Sequence, residues 1–301
     1  MLTGYLHPDY AMSHSEFGKP ISLRTSGGWL LKRKIEGTGL SDAMGPYPLF
    51  CCTNWQALPH DIEDLRDELV SILLVSDPFG EYSPDWLRVC FDHVYPFKDH
   101  YVIETGRPLS AFVNPSHRKH ALRALREVDV EVCVEPLMFI EDWDRLFNLL
   151  AERHSIKGLR RFSRAAFEKQ LAVPGLVMFR AIAEQRTIGL DLWYEQGNCA
   201  QGHLAAFDLV GYELRASYAT KWRAAEYFSD RVKWIDLGAG AGIGVDSNSG
   251  LSAFKRGWST GTKPTWLCGR VLQAEIYAHL ALDRGICGNS YFPSYRRGEF
   301  A

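Results

Sequence analysis

Apolar residues in the first half of the chain come in short runs between polar turns, the pattern of an alternating α/β protein. Alternation over 21–35 around Gly27-Gly28 predicts a β-hairpin. The run 70–75 is apolar except for Ser71 and predicts a buried strand. Further strands are predicted at 47–52, 100–104 and 130–134. Helices are predicted at 62–69, 83–94 and 114–127, the first two with Asp61 and Ser83 as N-caps.

The second half also alternates between helix and strand patterns. Apolar residues at helical spacing over 140–150 predict one helix, and 164–171 predicts another. Three strands follow at 176–183, 187–194 and 200–207. A long helix is then predicted over 212–229, a strand at 234–237, a helix at 249–257, a strand at 265–272 and a helix at 274–282. The pattern predicts a mixed α/β (α+β) protein of two parts, 1–137 and 138–301, joined near 135–141.

Composition narrows the class. With 301 residues, 46% hydrophobic and 23% charged, the chain can bury a sizeable core. It contains no apolar run of about 18 residues and no secretory h-region near Met1, so we expect no membrane span and a cytoplasmic location. The seven cysteines include no C-x-x-C pair, which argues against a disulfide framework and a zinc site, so no metal is expected.

Charge is distributed unevenly. Residues 1–150 carry a net charge of −8 and residues 151–301 one of +6. A positive half favours anionic partners such as phosphates, carboxylates or RNA. We therefore expect the substrate site in the second half of the chain.

A glycine-rich segment after the predicted strand 234–237 includes Gly238, Gly240 and Gly242. It resembles the glycine-rich loop of S-adenosylmethionine methyltransferases. Such a loop should open a doubly wound domain and precede a helix, but only about 60 residues remain here. Three interpretations stay open: a plain loop, a loop whose backbone closely approaches a substrate, with Asp246 nearby, or the loop of a circularly permuted methyltransferase.

Several further residues are candidates for chemistry. Phe254-Lys255-Arg256 and Trp258 combine cations with aromatic rings, which can hold an anion and stack on a base, although a solvated charge pair gives the same pattern. His203, on a predicted strand, is either a structural residue or a general base. Arg118 and Lys119 open a helix, where basic side chains oppose the helix dipole unless an anion binds or solvent screens them.

The second half as a whole resembles the FemAB/FemX-like branch (BioF2-like domains) of the GNAT acyltransferase superfamily. The resemblance covers roughly 140–300, and the Phe254-Lys255 pair is its most specific part. The first half is more loosely similar to the N-terminal GNAT-like half of Fem proteins. The resemblance implies a GNAT-type mixed sheet flanked by helices, in two tandem domains. It implies transfer of an aminoacyl group from aminoacyl-tRNA to an amine, with Phe254 and Lys255 functional.

Two departures bear on the acyl donor. No long coiled-coil arm is present, which weakens extensive contact with tRNA. A GNAT that uses acetyl-CoA needs backbone N–H groups at a turn of the form R/Q-x-x-G-x-G/A. The equivalent turn, 208–213, keeps only Gly211 and carries Asp208 and Glu213. We expect no tightly bound cofactor, and a donor that is aminoacyl-tRNA or acyl-CoA.

The leading hypothesis is an amide-forming N-acyltransferase that acts on a small-molecule or peptide-like amine. Lys255 would stabilise charge and Phe254 would pack against the donor, with His203 and Tyr218 as candidates for proton transfer. Residues that would line the site are Arg256, Trp258, Asp246, Gly238, Gly240, Arg118 and Lys119. The alternatives are an acyl-CoA-dependent GNAT and a non-catalytic RNA- or partner-binding protein, the last favoured by the aromatic-basic tail 291–297.

Overall fold

The computed structural model describes residues 1–240, 249–283 and 291–299. Its strands are β1 (Lys19–Ser22), β2 (Trp29–Lys34), β3 (Ser41–Met44), β4 (Ser71–Val75), β5 (His93–Glu104), β6 (Asp129–Cys133), β7 (Leu176–Ala183), β8 (Arg186–Gln196), β9 (Cys199–Phe207), β10 (Trp234–Asp236) and β11 (Gly261–Val271). Its helices are α1 (Pro8–Met12), α2 (Leu58–Glu63), α3 (Pro84–Cys90), α4 (Pro115–Ala124), α5 (Ile140–Arg153), α6 (Arg164–Leu171), α7 (Leu209–Glu213), α8 (Ala216–Phe228), α9 (Gly250–Arg256) and α10 (Ala274–Asp283).

The chain divides into two compact units. The first contains 1–7, 98–157 and 161–264, and the second contains 8–97, 158–160 and 265–301. The predicted division between 137 and 138 falls inside the segment 98–157. The two tandem GNAT-like halves, 1–137 and 138–301, therefore stay a prediction about the chain's organisation.

The second unit contains strands in the order β1-β2-β3-β4-β11, antiparallel except for the β3–β4 pair. The predicted hairpin and the buried strand β4 are confirmed. The predicted strand 47–52 is wrong: only Phe50 makes a bridge, to Ser76. Prolines at 46 and 48 lack the N–H that a ladder requires. Asp61 is likewise no N-cap, because it lies within α2 and its carboxylate accepts backbone N–H groups of Thr25 and Ser26.

The first unit contains strands in the order β5-β10-β9-β8-β7-β6. The β10–β9 pair is parallel, and the predicted meander β7–β8–β9 is antiparallel. Strand β10 ends at Asp236, opposite Gln201, whereas β9 continues to Phe207. The two neighbouring strands therefore stop sharing a ladder at Asp236, and the chain that follows β10 is free to turn toward α9.

The two faces of this sheet carry different helices. Trp193 on β8 packs with Phe228 of α8, in a core that includes Ile235 of β10. The next residue on β8, Tyr194, points to the opposite face and donates a hydrogen bond to the carbonyl of Gln170 on α6. A register shift in the β8–β9 pair between Leu192 and Trp193 marks a β-bulge. The α8 face is the one from which the candidate site is built.

The predicted helix 212–229 is two helices. Arg215 has φ 58° and ψ 39°, the left-handed conformation, which interrupts the helical hydrogen-bond ladder between α7 and α8. Gly211 on α7 packs so tightly that a Cβ there would lie 2.5 Å from the carbonyl oxygen of Ile188. Tight packing of α7 on β8 thus overrides the continuous helical pattern.

Among the described helices, not one combines the length and the apolar character needed to cross a bilayer.

Candidate active site

Helix α9 carries the Phe254-Lys255 pair. Its N-cap is Ser249, whose hydroxyl accepts the backbone N–H of Ser252. Phe254 packs edge-on against Tyr218 of α8, with ring centroids 4.9 Å apart, and also contacts His117 of α4 and Trp258. We call His117, Tyr218, Phe254 and Trp258 the aromatic cluster. Four of its six ring pairs meet edge to face, a favourable geometry for such rings. The structure thus brings three predicted site residues onto one wall.

Close packing joins α4 to the end of α9. The Nε2–H of His117 donates to the backbone carbonyl of Phe254 at 3.0 Å. A Cβ on Gly257 would lie 2.4 Å from that same Nε2, so the contact requires glycine at this position. Burial lowers the pKa of His117, and the hydrogen bond to Phe254 opposes that shift. Because a carbonyl oxygen can only accept, Nε2 of His117 carries a proton in this contact.

Lys255 extends from α9 toward the chain that follows β10. Its Nζ donates to the carbonyl of Ala239 at 2.6 Å. Burial and, to a smaller extent, the charge of Lys221 lower the pKa of Lys255 to about 7, although Asp236 opposes the shift. An ammonium that titrates near neutrality beside backbone carbonyls can carry charge or exchange a proton at physiological pH.

The residues 237–240 leave the sheet after β10, and we call this segment the 237–240 turn; side chains from outside the segment bind its backbone. Asp236 accepts the N–H of Gly238 at 2.7 Å through Oδ1, and its Oδ2 accepts from Nδ1 of His100 at 2.8 Å. Lys98 donates to the carbonyl of Gly240 at 2.9 Å. Gly238 has φ +74°, a conformation that favours glycine.

A second lysine lies in the electrostatic surroundings of Lys255. Lys221 of α8 binds both carboxylate oxygens of Asp191 at 2.9 Å and lies 4.3 Å from the ring centroid of Trp193. Asp191 is buried, with 1% of its surface exposed. This pair keeps a positive and a negative charge inside the α8 face of the sheet, where both act on Lys255.

Other predicted residues occupy the margin of this site. Arg256 is exposed and reaches the hydroxyl of Tyr101 at 3.5 Å. Arg118 and Lys119 lie on α4, but the residues of that helix that contact the aromatic cluster are His117 and His120. Gly238 and Gly240 belong to the 237–240 turn. Asp246 lies outside the described residues.

His203 is not brought into this cluster. It lies on the α6 face of the sheet, where Nε2 contacts Oε1 of Gln170 at 3.1 Å and Nδ1 contacts the hydroxyl of Tyr5 at 3.2 Å. Its ring packs against Tyr194. These contacts give His203 a structural environment, and its predicted role in proton transfer gains no support from its position.

In the turn 208–213 the carboxylate of Asp208 binds a backbone N–H group of the turn itself. Asp208 caps α7 by accepting the N–H of Gly211 at 2.9 Å, and it pairs with Arg186 at 2.7 Å. Only 7% of Asp208 is exposed. The N–H group that would meet a CoA phosphate at this turn is thus already satisfied.

The tail 291–297 is built into the second unit. Tyr295 is fully buried and its hydroxyl donates to Asp42, while Arg296 binds both oxygens of the same carboxylate. This segment therefore serves packing rather than offering a free aromatic-basic surface.

Sequence reasoning missed the functional environment of Lys255. His117 directly precedes Arg118, and Asp236 lies two residues before Gly238, but neither residue has a sequence signal of its own. His100 and the Lys221–Asp191 pair carried no local signal, because each partner lies far away in the chain. Only the strand order of the first unit brings them together.

Comparison with solved structures identifies the fold. FemX superimposes with a TM-score of 0.66 at 11% identity, over 90% of this chain and 93% of that one. The C-terminal domain (DUF2156) of a putative lysylphosphatidylglycerol synthetase from Agrobacterium fabrum gives 0.62 at 11%, over 93% and 94%. L-PGS from Bacillus licheniformis gives 0.59 at 12%, over 96% and 100%.

Comparison of the amino-acid sequence with known proteins assigns the chain to no family. No protein-family model matches the chain, and no curated protein matches it. At identities of 11–12% the structural likeness speaks for the fold alone. The predicted fold class, a mixed sheet flanked by helices of the kind found in FemX, is thereby confirmed.

Proposed function

We propose that the chain is an N-acyltransferase that forms an amide, similar in chemistry to the Fem-type aminoacyl transferases. The observation that carries the proposal is the position of Lys255. Its ammonium is bound to the Ala239 carbonyl at 2.6 Å, next to an aromatic wall that includes Phe254. The resemblance of the Phe254-Lys255 segment to Fem proteins and the FemX-like fold support the same chemistry.

The reaction follows from these groups. A substrate amine attacks the activated carbonyl carbon of the donor, and a carbon–nitrogen bond forms as the carbonyl oxygen gains negative charge. Lys255 stabilises that oxyanion, and the aromatic cluster holds the donor in place. The carbon–oxygen or carbon–sulfur bond of the donor then breaks. The nitrogen that attacked carries a positive charge after the bond forms, and it passes one proton to the leaving group, so atoms and charge balance.

The donor is better matched by aminoacyl-tRNA than by acyl-CoA. The turn that would bind a CoA pyrophosphate is occupied by Asp208, whose negative charge opposes phosphate. By contrast, α4 and the start of α8 carry a group of cations around His120. Burial lowers the pKa of His120, and the nearby charges of Arg215, Lys119 and Arg123 each add to that shift. Such a positive surface beside stacking rings favours the phosphates and bases of a nucleic acid.

Donor binding tests the proposal directly. The purified protein is titrated with acetyl-CoA and with charged tRNA at matched ionic strength. We expect binding of charged tRNA followed by transfer to an added amine. Lys255→Met should reduce the transfer rate by about 100-fold to 1,000-fold, the usual loss when an oxyanion-stabilising group is removed.

Lys233→Met is the matched control, because Lys233 is an exposed lysine of the same unit. It should leave the rate unchanged. Micromolar binding of acetyl-CoA with acetyl transfer would replace the proposal by the CoA-dependent alternative. Salt-sensitive RNA binding without turnover on either donor would replace it by the non-catalytic alternative.

A further inference from the structure

The Ala239 carbonyl that binds Lys255 follows two residues that are tied to β5. The N–H of Leu237 donates to the Tyr101 carbonyl at 2.9 Å, and the Gly238 carbonyl accepts the Tyr101 N–H at 3.1 Å. The 237–240 turn follows the last residue of β10 and precedes the segment 241–248. The N–H of Gly238 donates to Oδ1 of Asp236 at 2.7 Å, a side-chain contact made directly before Ala239. The other oxygen of Asp236 is bound by His100, which lies 136 residues away in the sequence on β5.

His100 and Asp236 are both buried, with 8% and 2% of their surfaces exposed. Burying a carboxylate and an imidazole costs free energy unless each is paired and hydrogen-bonded. An apolar pair at these positions would continue the sheet at least as well. The polar pair differs from an apolar pair in one respect: Asp236 accepts the Gly238 N–H and so sets the direction of the next carbonyl. No apolar side chain could accept that N–H.

We propose that His100 and Asp236 are positioning residues: together they fix the 237–240 turn so that the Ala239 carbonyl holds the Lys255 ammonium in place. The inference rests on the proposed function for its role in catalysis. His100 orients the carboxylate, the carboxylate orients the Gly238 N–H, and the turn then presents the carbonyl to Nζ. Neither residue needs to touch the substrate.

A mere electrostatic effect of Asp236 on Lys255 makes a different prediction. The charged groups that act on Lys255 are Lys221 and Lys98, which lower its pKa, and Asp236 and Asp191, which raise it. Loss of a nearby negative charge alone lowers the pKa of a lysine. Loss of the turn instead admits water to the ammonium, which removes the largest cause of its lowered pKa and raises it.

The test measures the titration of Lys255 by competitive labelling with acetic anhydride between pH 5 and 11, followed by mass spectrometry of the peptide that carries it. The wild-type midpoint should lie near 7. Asp236→Asn keeps an acceptor for Gly238 but loses the charge, so the midpoint should fall by up to about 1 unit. Asp236→Ala loses the acceptor as well, so the midpoint should rise by more than about 1 unit.

Asp191→Ala is the matched control, because Asp191 is an equally buried carboxylate that acts on Lys255 without contacting the turn. In this variant the titration midpoint of Lys255 should fall, as it should in Asp236→Asn. Opposite shifts in Asp236→Ala and Asp191→Ala support the positioning role. A fall in both variants would overturn it.

The His100 variants give an independent arm. Asn has a side-chain N–H close to the place of Nδ1, so His100→Asn should keep the midpoint near 7, whereas His100→Leu should raise it. Equal midpoints in these two variants would contradict the proposal, even if Asp236→Ala does not fold. Labelling needs neither donor nor acceptor, so the result is separate from whether acyl transfer is observed.

Discussion

Replacing Gly257 with alanine tests the junction between α4 and α9. The new methyl group would lie 2.4 Å from Nε2 of His117, well inside the ordinary contact distance of about 3.5–4.0 Å. The imidazole has little room to move, because Tyr218 and Trp258 pack against it with centroids 5.2 Å and 5.7 Å away. We therefore expect the His117–Phe254 hydrogen bond to break.

The magnitude follows from three contributions. Overpacking costs about 1–3 kcal/mol, and the lost hydrogen bond about 1 kcal/mol. Gly257 has φ −67° and ψ −14°, which alanine adopts without strain, so alanine returns about 0.4–1 kcal/mol by restricting the unfolded chain. The net expectation is a loss of about 1–3 kcal/mol in the free energy of unfolding.

Urea denaturation of a double-mutant cycle provides the assay. In a His117→Ala background the steric conflict is absent, so Gly257→Ala should be neutral or slightly stabilising. Gly261→Ala is the control glycine, because no atom lies within 4 Å of its added Cβ. It should change stability by no more than about 0.5 kcal/mol. If Gly257→Ala is as stable as the wild type, or if its effect is the same without His117, the reasoning about this junction is refuted.

Three further predictions concern single side chains. If the Lys255 ammonium stabilises the oxyanion, the transfer rate should fall as pH rises through about 7. Lys255→Arg should move that fall above pH 9, because a guanidinium keeps its charge. The same pH profile in both proteins would contradict this role of Lys255. The same lowered pKa means that Lys255→Met should stabilise the fold most below pH 7, with the gain vanishing toward pH 10.5, as followed by urea denaturation at several pH values. Gln201 is 1% exposed and neither polar atom of its side chain has a hydrogen-bond partner among the described residues, so Gln201→Met should raise the free energy of unfolding by about 1–3 kcal/mol; a lower melting temperature in calorimetry would show a partner for that amide.

Local patterns predicted many elements of the fold. Helix α6 and strand β7 have the predicted bounds, Arg164–Leu171 and Leu176–Ala183, and Ser83 caps α3 by accepting the Trp86 N–H as expected. These features depend on neighbours within a few residues, which the sequence displays directly. The continuous helix 212–229 failed because the packing of Gly211 and the left-handed Arg215 are decided by contacts with β8.

The residues of the candidate site also include some that a local pattern predicted and some whose position only the fold decides. A resemblance within one short segment pointed to Phe254 and Lys255. The structure places Phe254 against Tyr218, the candidate for proton transfer, and against Trp258, a predicted lining residue. His203, which was predicted from its residue type alone, lies on the other face of the sheet. Residue type signals capacity for proton transfer, but only position decides whether a substrate can use it.

The sequence by itself determined the alternation of strands and helices, the absence of a long apolar span, the positive second half and the Phe254-Lys255 segment, because each is a property of neighbouring residues. Tertiary structure decided the environment of Lys255. His117 meets Phe254 across 137 residues, and His100 meets Asp236 across 136. Strand order and helix packing create such contacts, and they in turn bury the lysine and lower its pKa. No local pattern encodes a contact between residues so far apart in the chain.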